Sequence, residues 1–328
     1  MAIVYHYASA QAFKGVIESA QVWGTDFRYL NDSRELIYTW SVFVQRLEEL
    51  TAQPSGDLDA YRAQLEALNL LDAKDLMRFD DTVYVACFSE LPDAVSQWTR
   101  YGGGDGRGFA LGFDSEEISA VAVPQYNHTP GGRVVPVMAT VGGGPDSGKQ
   151  VELTWGAFLQ KVRYGDDARD LTVKGLLSTV RRIREVDGPV GSFEQNVANC
   201  ISQTHALLHQ MPLVKHSAYQ DEQEHRITIT EHHGGASLNQ RRALSSLGEP
   251  YSYLAQGPLT TVDVQFRPDD SKLFVPYVRF PFKREALIEV VIGPMVKHHL
   301  AETTVRRLLD RHGFRDTAIK LSEAPLQA

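Results

Sequence analysis

Cysteine is scarce: Cys87 and Cys200 are the two in 328 residues. Two cannot build a disulfide framework, and each sits in an apolar pattern that suits a buried thiol. No apolar run is long enough to span a membrane as a helix, so no membrane partner is expected. The opening Ala2-Ile3-Val4-Tyr5 enters a strand without the basic region and apolar core of a secretory leader, and a reducing cytoplasm is the expected compartment. Positive charge is in deficit. The formal net charge of −8 makes the molecule as a whole repel a phosphate backbone. Arg181, Arg182 and Arg184, and the pair Arg241 and Arg242, are local exceptions, of a kind that is usually a solvated face.

Familiar nucleotide and metal signatures are missing as well. No strand leads through G-x-G-x-x-G into a helix, which argues against a dinucleotide fold of the Rossmann type. The run Gly102-Gly-Gly-Asp-Gly-Arg-Gly108 has the glycine of a phosphate loop but lacks Gly-Lys-Ser/Thr and leads into a strand. His205 and His209 have a spacing that can bind zinc, yet no Glu follows His205 and no third ligand is indicated, so no metal is expected. Cys87 alternates along an apolar strand with nothing indicated to lower its pKa, which disfavours a nucleophile.

What is present is organised around Thr82 to Asp114. TVYVACFSE and FALGFD read as buried strands, and between them a short polar helix carries Trp98 and Tyr101, so that Ser89, Trp98 and Tyr101 form a plausible pocket wall. Before it, IVYHYAS predicts a strand, AQAFKGVIES a helix and QVWG a second strand. Asn31 or Asp32 would then cap a helix from about Ser33 to about Thr51, with Glu35 in capping-box spacing. A further helix is expected from about Leu58 to Met77. After Asp114, VVPVMATV between glycine-rich turns suggests a hairpin or an exposed excursion, and helical spacing predicts elements from Val151 to about Tyr164, Ala168 to Val186 and Phe193 to Leu213. HRITITEH, TVDVQFRP, LFVPYVRFPF, LIEVVIGP and TAIKLSE then read as strands, with a helix from about Lys297 to Arg311. Strands at both ends and helices between them predict one α+β domain over 1–328, built on a mostly antiparallel mixed sheet with a helical insertion at about 120–213.

Three short runs carry polar groups on or beside strands. His6 and Tyr7 point to opposite faces, so only one can face a given pocket, and Ser9 is either a helix cap or a ligand contact. Glu222, Glu224 and Arg226 share one face at the start of a strand, putting two carboxylates beside a guanidinium. That pattern is either an exposed, weakly stabilising ion pair or a carboxylate held to orient a hydroxyl and stabilise an oxocarbenium-like transition state.

On these residues the chain resembles the bacterial family called domain of unknown function 2971. YHYAS, LNDSRE, CFSE, QWTRYG with GFALGFD, Lys215 to Arg226 as K-x-x-x-Y-x-x-E-x-E-x-R, and VVIGP occur in the family's order, with Tyr219 where a tryptophan is common. More distantly, the opening His with a following Ser and the late E-x-E resemble the first and last motifs of ADP-ribosyltransferases. That resemblance implies an ADP-ribosyltransferase-like fold and cleavage of the nicotinamide–ribose bond of NAD, with transfer of ADP-ribose to a protein or nucleic-acid acceptor, in a toxin or phage-defence setting. It further implies that His6 binds ribose, that Tyr101 or Tyr7 stacks on nicotinamide, that Ser89 lines the pocket, that Asn31 shapes it, and that Glu224 acts on the ribose with Glu222 beside it. His6, Ser89 and Glu224 are then expected in one groove with Trp98 to Gly104 at its rim. The alternative is a non-catalytic nucleotide- or partner-binding module using the same cleft; a nuclease fits less well, since no acidic metal-ligand cluster can be placed.

Overall fold

Alternating apolar residues pair eleven strands into one curled sheet, seen in a computed structural model that describes residues 2–30, 34–52, 82–103, 106–128, 134–142, 144–165, 167–168, 210–231, 260–269 and 273–325. Its strands are β1 (Ile3–Ala8), β2 (Gln21–Asp26), β3 (Val83–Ser89), β4 (Phe109–Asp114), β5 (Ala120–Pro124), β6 (Thr154–Lys161), β7 (Glu224–Thr230), β8 (Gln265–Asp269), β9 (Leu273–Pro281), β10 (Leu287–Ile292) and β11 (Ala318–Leu321). Pairing is antiparallel throughout this sheet except between β10 and β11. The helices are α1 (Ala10–Ser19), α2 (Arg34–Thr51), α3 (Val95–Arg100) and α4 (His298–Arg311). The architecture is mixed α/β with a mostly antiparallel sheet, as expected.

The sheet branches at β3. One edge of β3 pairs with β7 along its whole length, from Ser89 opposite Glu224 to Val83 opposite Thr230, and β6 and β5 continue beyond β7. The other edge is shared. Tyr84 and Val85 pair with β2, which leads to β9 and β8, while Ser89 pairs with Tyr5 of β1, which leads to β4, β10 and β11. Between these contacts the ladder opens at Ala86 to Phe88, and that gap positions the site.

Below the gap lies the apolar core. Val4, Ala86, Phe88, Leu111, Phe113, Ile227, Ile229, Phe280, Val290 and Ile292 pack there with Phe13, Val16 and Ile17 of α1. Phe13 stacks on Phe109 at 4.2 Å. The Ser9 Oγ accepts from the Ala12 N–H at 3.3 Å, so Ser9 is the N-cap of α1, an interaction that stabilises a helix by about 1 kcal/mol.

One expected helix is not one. Residues from Val151 to Tyr164 form strands, chiefly β6, which pairs with β5 on one edge and β7 on the other. Val151, Trp155, Phe158 and Val162 match helical spacing, but Trp155, Ala157 and Leu159 also alternate, and two waiting sheet edges decide in favour of the strand. The hairpin or exposed excursion expected around VVPVMATV is found as two short, largely exposed antiparallel pairs, Val134–Pro136 with Tyr126–His128 and Met138–Thr140 with Gln150–Glu152. The expected helices at 58–77, 168–186 and 193–213 fall largely or wholly outside the described residues, as do Asn31, Asp32, Cys200, His205 and His209. Among the described residues no helix is long and apolar enough to cross a membrane.

Candidate functional site

The opening beside β3 widens into a cleft of about 670 Å³, within the usual range of small-molecule sites, about 300–1,000 Å³. β1 and the start of α1 form one side, β2, β8 and β9 another. The rest is closed by α3, Lys215, the 3₁₀ turn Ser217–Glu222 and the first residues of β7.

His6 turns its ring into the gap and puts Nδ1 2.9 Å from the Cys87 carbonyl oxygen. A carbonyl only accepts, so Nδ1 carries the proton and Nε2 is left as an acceptor. Burial pushes the His6 pKa down, and although the Cys87 bond opposes this, the ring is held neutral with help from the Arg267 charge. Tyr7 lines the cleft too. The expectation that only one of the two could do so fails because the cleft opens through the sheet at the edge of β1 instead of lying on one face. The Tyr7 hydroxyl donates to the Leu91 carbonyl at 2.8 Å and accepts from the Ala94 N–H at 3.3 Å. Ser9 borders the cleft while serving as cap.

The opposite wall is a chain of six alternating charges. Glu35 on α2 accepts from Arg226 Nη2 at 2.8 Å. Arg226 grips Glu224 through Nε and Nη2 at 2.8 and 3.0 Å and donates Nη1 to the Pro212 carbonyl at 2.6 Å. Lys215 bridges Glu224 at 3.0 Å and Glu222 at 2.6 Å, and Arg100 closes the series on Glu222. Arg100 and Lys215 both lie over the Tyr219 ring. Glu35, Lys215, Glu222, Glu224 and Arg226 are buried, which overturns the reading of an exposed surface pair. Deleting one member of a buried pair typically costs about 3–5 kcal/mol because it strands its partner.

Gln223 makes the arrangement possible. Its left-handed φ of 45° ends the 3₁₀ turn and lets Glu222 and Glu224 converge on Lys215 from two different elements. Burial pushes the Glu224 carboxyl up, but Arg226 and Lys215 outweigh it and hold the group at about 2. For Glu35 burial prevails over Arg226 and the pKa is raised. Cys87 sits against Glu224, and burial followed by that carboxylate pushes its thiol well up, the reverse of what a thiolate nucleophile needs.

Of the remaining expected site residues, Tyr101 lines the cleft and its phenol is kept protonated by burial. Ser89 does not line it. Its hydroxyl donates to the Glu222 carbonyl at 2.6 Å and accepts from the Leu91 N–H at 3.1 Å, tying β3 to the turn that bears Glu222. Trp98 lies beneath the rim, fully buried, edge-on to Tyr7. Its indole donates to Asp93 Oδ1 at 2.6 Å, and Asp93 also accepts from the Ser322 hydroxyl at 2.5 Å and the Glu323 N–H at 2.7 Å, clasping the segment after β11 to α3. Glu35, Lys215, Arg100 and Arg267 were not singled out as site residues from sequence, although Lys215 opens the K-x-x-x-Y-x-x-E-x-E-x-R run. Among the described residues no group of three or more His, Cys, Asp or Glu is placed to hold a metal ion.

Residues 97–227 match a family described as a protein of unknown function, DUF2971. The match takes in Arg100, Tyr101, Lys215, Glu222, Glu224 and Arg226, and stops short of His6, Glu35 and Arg267. No curated protein and no solved structure matches the chain.

Proposed function

We propose that the cleft binds NAD and that the protein is an ADP-ribosyltransferase-like enzyme acting on the nicotinamide–ribose bond. The observation that carries this reading is that His6, near the start of the chain, and Glu224, far along it, border one cleft of nucleotide-compatible volume. In the reaction the bond between ribose C1′ and the pyridinium nitrogen breaks, and its electron pair leaves with nicotinamide. The cationic C1′ then bonds to a nucleophilic oxygen or nitrogen of a protein or nucleic-acid acceptor, which releases a proton. Glu224, ionised at neutral pH, offsets the charge at C1′. Its carboxylate accepts from Arg226 Nε and Nη2, from Lys215 Nζ and from the Cys87 thiol, and a ribose hydroxyl reaches it by displacing the thiol, the weakest of these donors. His6 Nε2 accepts a second hydroxyl, and Tyr101 offers a ring for stacking.

A second reading has its own support. Each Glu224 oxygen already accepts from a cation, as suits a module that binds a nucleotide or partner without turning it over. Incubating the protein with NAD and following free nicotinamide by mass spectrometry decides between them. Release that falls by about 100-fold or more in a folded Glu224→Gln variant, the scale of losing one charge-stabilising group, supports the enzyme. NAD binding without release, across protein and nucleic-acid acceptors, leaves the binding module.

A further inference from the structure

The nucleophile that bonds to C1′ must give up a proton, and most groups in the cleft are poorly suited to take it. A carboxyl held at about 2, as Glu224 is, is a weak base at neutral pH. Both oxygens of Glu222 accept from cations, Oε1 from Arg100 and Oε2 from Lys215. Burial keeps Tyr101 and Cys87 protonated and pushes the His6 pKa down.

Glu35 differs from all of these. It is buried, it lines the cleft from the first turn of α2, and it takes Arg226 Nη2 through Oε1 alone, at 2.8 Å. Among the described residues no donor reaches its Oε2. The charged groups that face it there are Arg226 and Glu224 of β7 and Lys215 of the short strand Val214–Lys215. Arg226 Nη2 also donates to Glu224 Oε2 at 3.0 Å, so one nitrogen holds the two carboxylates side by side. Arg226 is itself fixed by the Pro212 carbonyl at 2.6 Å and the Phe27 ring. The surroundings drive the pair apart: burial of Glu224 is outweighed by Arg226 and Lys215, whereas burial of Glu35 prevails and raises its pKa. Two carboxyls split in this way suit two roles, one staying ionised and the other exchanging a proton.

We infer that Glu35 is the general base of this cleft, its open Oε2 taking the proton from the acceptor's O–H or N–H as that atom bonds to C1′ beside Glu224. This rests on the reading of the cleft as an ADP-ribosyltransferase-like site. The bond from C1′ to the pyridinium nitrogen breaks with its pair on nicotinamide, a lone pair of the acceptor forms the new bond, and the acceptor's proton ends on Oε2. A positioned base contributes about 10²–10⁴-fold and works best with a pKa near the working pH, a direction in which burial has already moved Glu35.

Nicotinamide release from NAD by the full chain, followed by mass spectrometry, tests the inference in water alone, with protein and nucleic-acid acceptors, and with sodium azide. The azide anion bonds to C1′ with no proton to lose. Glu35→Gln keeps the size and an oxygen for Arg226, and should slow release to water or to a macromolecular acceptor by about 100-fold or more, in kcat and not in the KM for NAD. Azide should recover at least about tenfold of that loss and yield ADP-ribosyl azide, a repair that a structural defect would not show. In wild type kcat should fall as acid protonates Glu35, and the Glu35→Gln profile should be flat over the same range. Full release by a folded Glu35→Gln protein, or a loss that azide does not repair, overturns the inference and leaves the enzyme. No release by wild type under any of these conditions overturns the reading of the cleft and this inference with it. Should Glu35→Gln not fold by circular dichroism, Glu35→Asp decides: its displaced carboxylate should slow release to water and leave release to azide unchanged, and slowing of both overturns the inference.

Discussion

The two faces of β3 and β7 obey opposite rules. Toward one side, Tyr84, Ala86 and Phe88 join Ile227 and Ile229 in the apolar core. Toward the other, Cys87 and Ser89 stand beside Glu224 and Arg226 in register. On the apolar side each residue contributes by area removed from water, about 25 cal/mol per Å², so neighbours of similar volume can be exchanged. On the charged side each residue is worth what its partner makes it worth. A well-packed apolar substitute for a buried ion pair is often as stable or more so, so five buried charges in series, ending on the exposed Arg100, are poorly explained by stability alone.

That contrast can be broken most forcefully at Arg226. Arg226→Ala leaves Glu224 and Glu35 buried without their common cation, and urea denaturation should show a loss of about 3–5 kcal/mol; a loss under about 1 kcal/mol would mean that the carboxylates simply protonate or hydrate, and the contrast disappears. A pH series comes next. Glu224 has its folded pKa depressed to about 2 from an ordinary 4.5, so its contribution is complete above 4.5 and drains away as pH falls toward about 2. The melting temperatures of wild type and Glu224→Gln should therefore differ most near neutrality and converge in acid; a gap that widens in acid would reverse the sign. Ile227→Val, one residue from Arg226 but on the other face, should cost only about 0.5–1.5 kcal/mol and leave nucleotide affinity untouched. Smallest of all, Lys14→Ala removes the exposed pair with Glu18 and should leave the melting temperature unchanged within the precision of the measurement.

Local pattern made much of this legible. Strand, helix and strand from Ile3 to Asp26 follow from alternation, from Ser9 as cap, and from the spacing of Phe13, Val16 and Ile17. The helix carrying Glu35 lies where the spacing put it. The pairing of Glu224 with Arg226 is local, two residues apart on a strand. Its partners are not: Arg226 reaches Glu35 across 191 positions and Arg100 reaches Glu222 across 122, and nothing in a single chain's order announces such meetings. Arg267 was hidden for the same reason, since two of the rings it lies over, Trp23 and Tyr277, come from β2 and β9. Burial was missed because E-x-E-x-R is as charged as any solvated edge, and only the cover supplied by α2, α3 and the 3₁₀ turn hides it. The helix expected over Val151 to Tyr164 failed where spacing fitted both periods and the empty edges of β5 and β7 cast the deciding vote.

The clasp at Asp93 ties the mouth of the cleft to the far end of the described fold. One carboxylate holds the indole that underpins α3 and also the backbone and hydroxyl just beyond the last strand. Clipping the chain behind Leu321 would slacken the short helix that presents Arg100 and Tyr101 without touching a residue that lines the hollow. The tail thus acts as a guy-rope on the entrance.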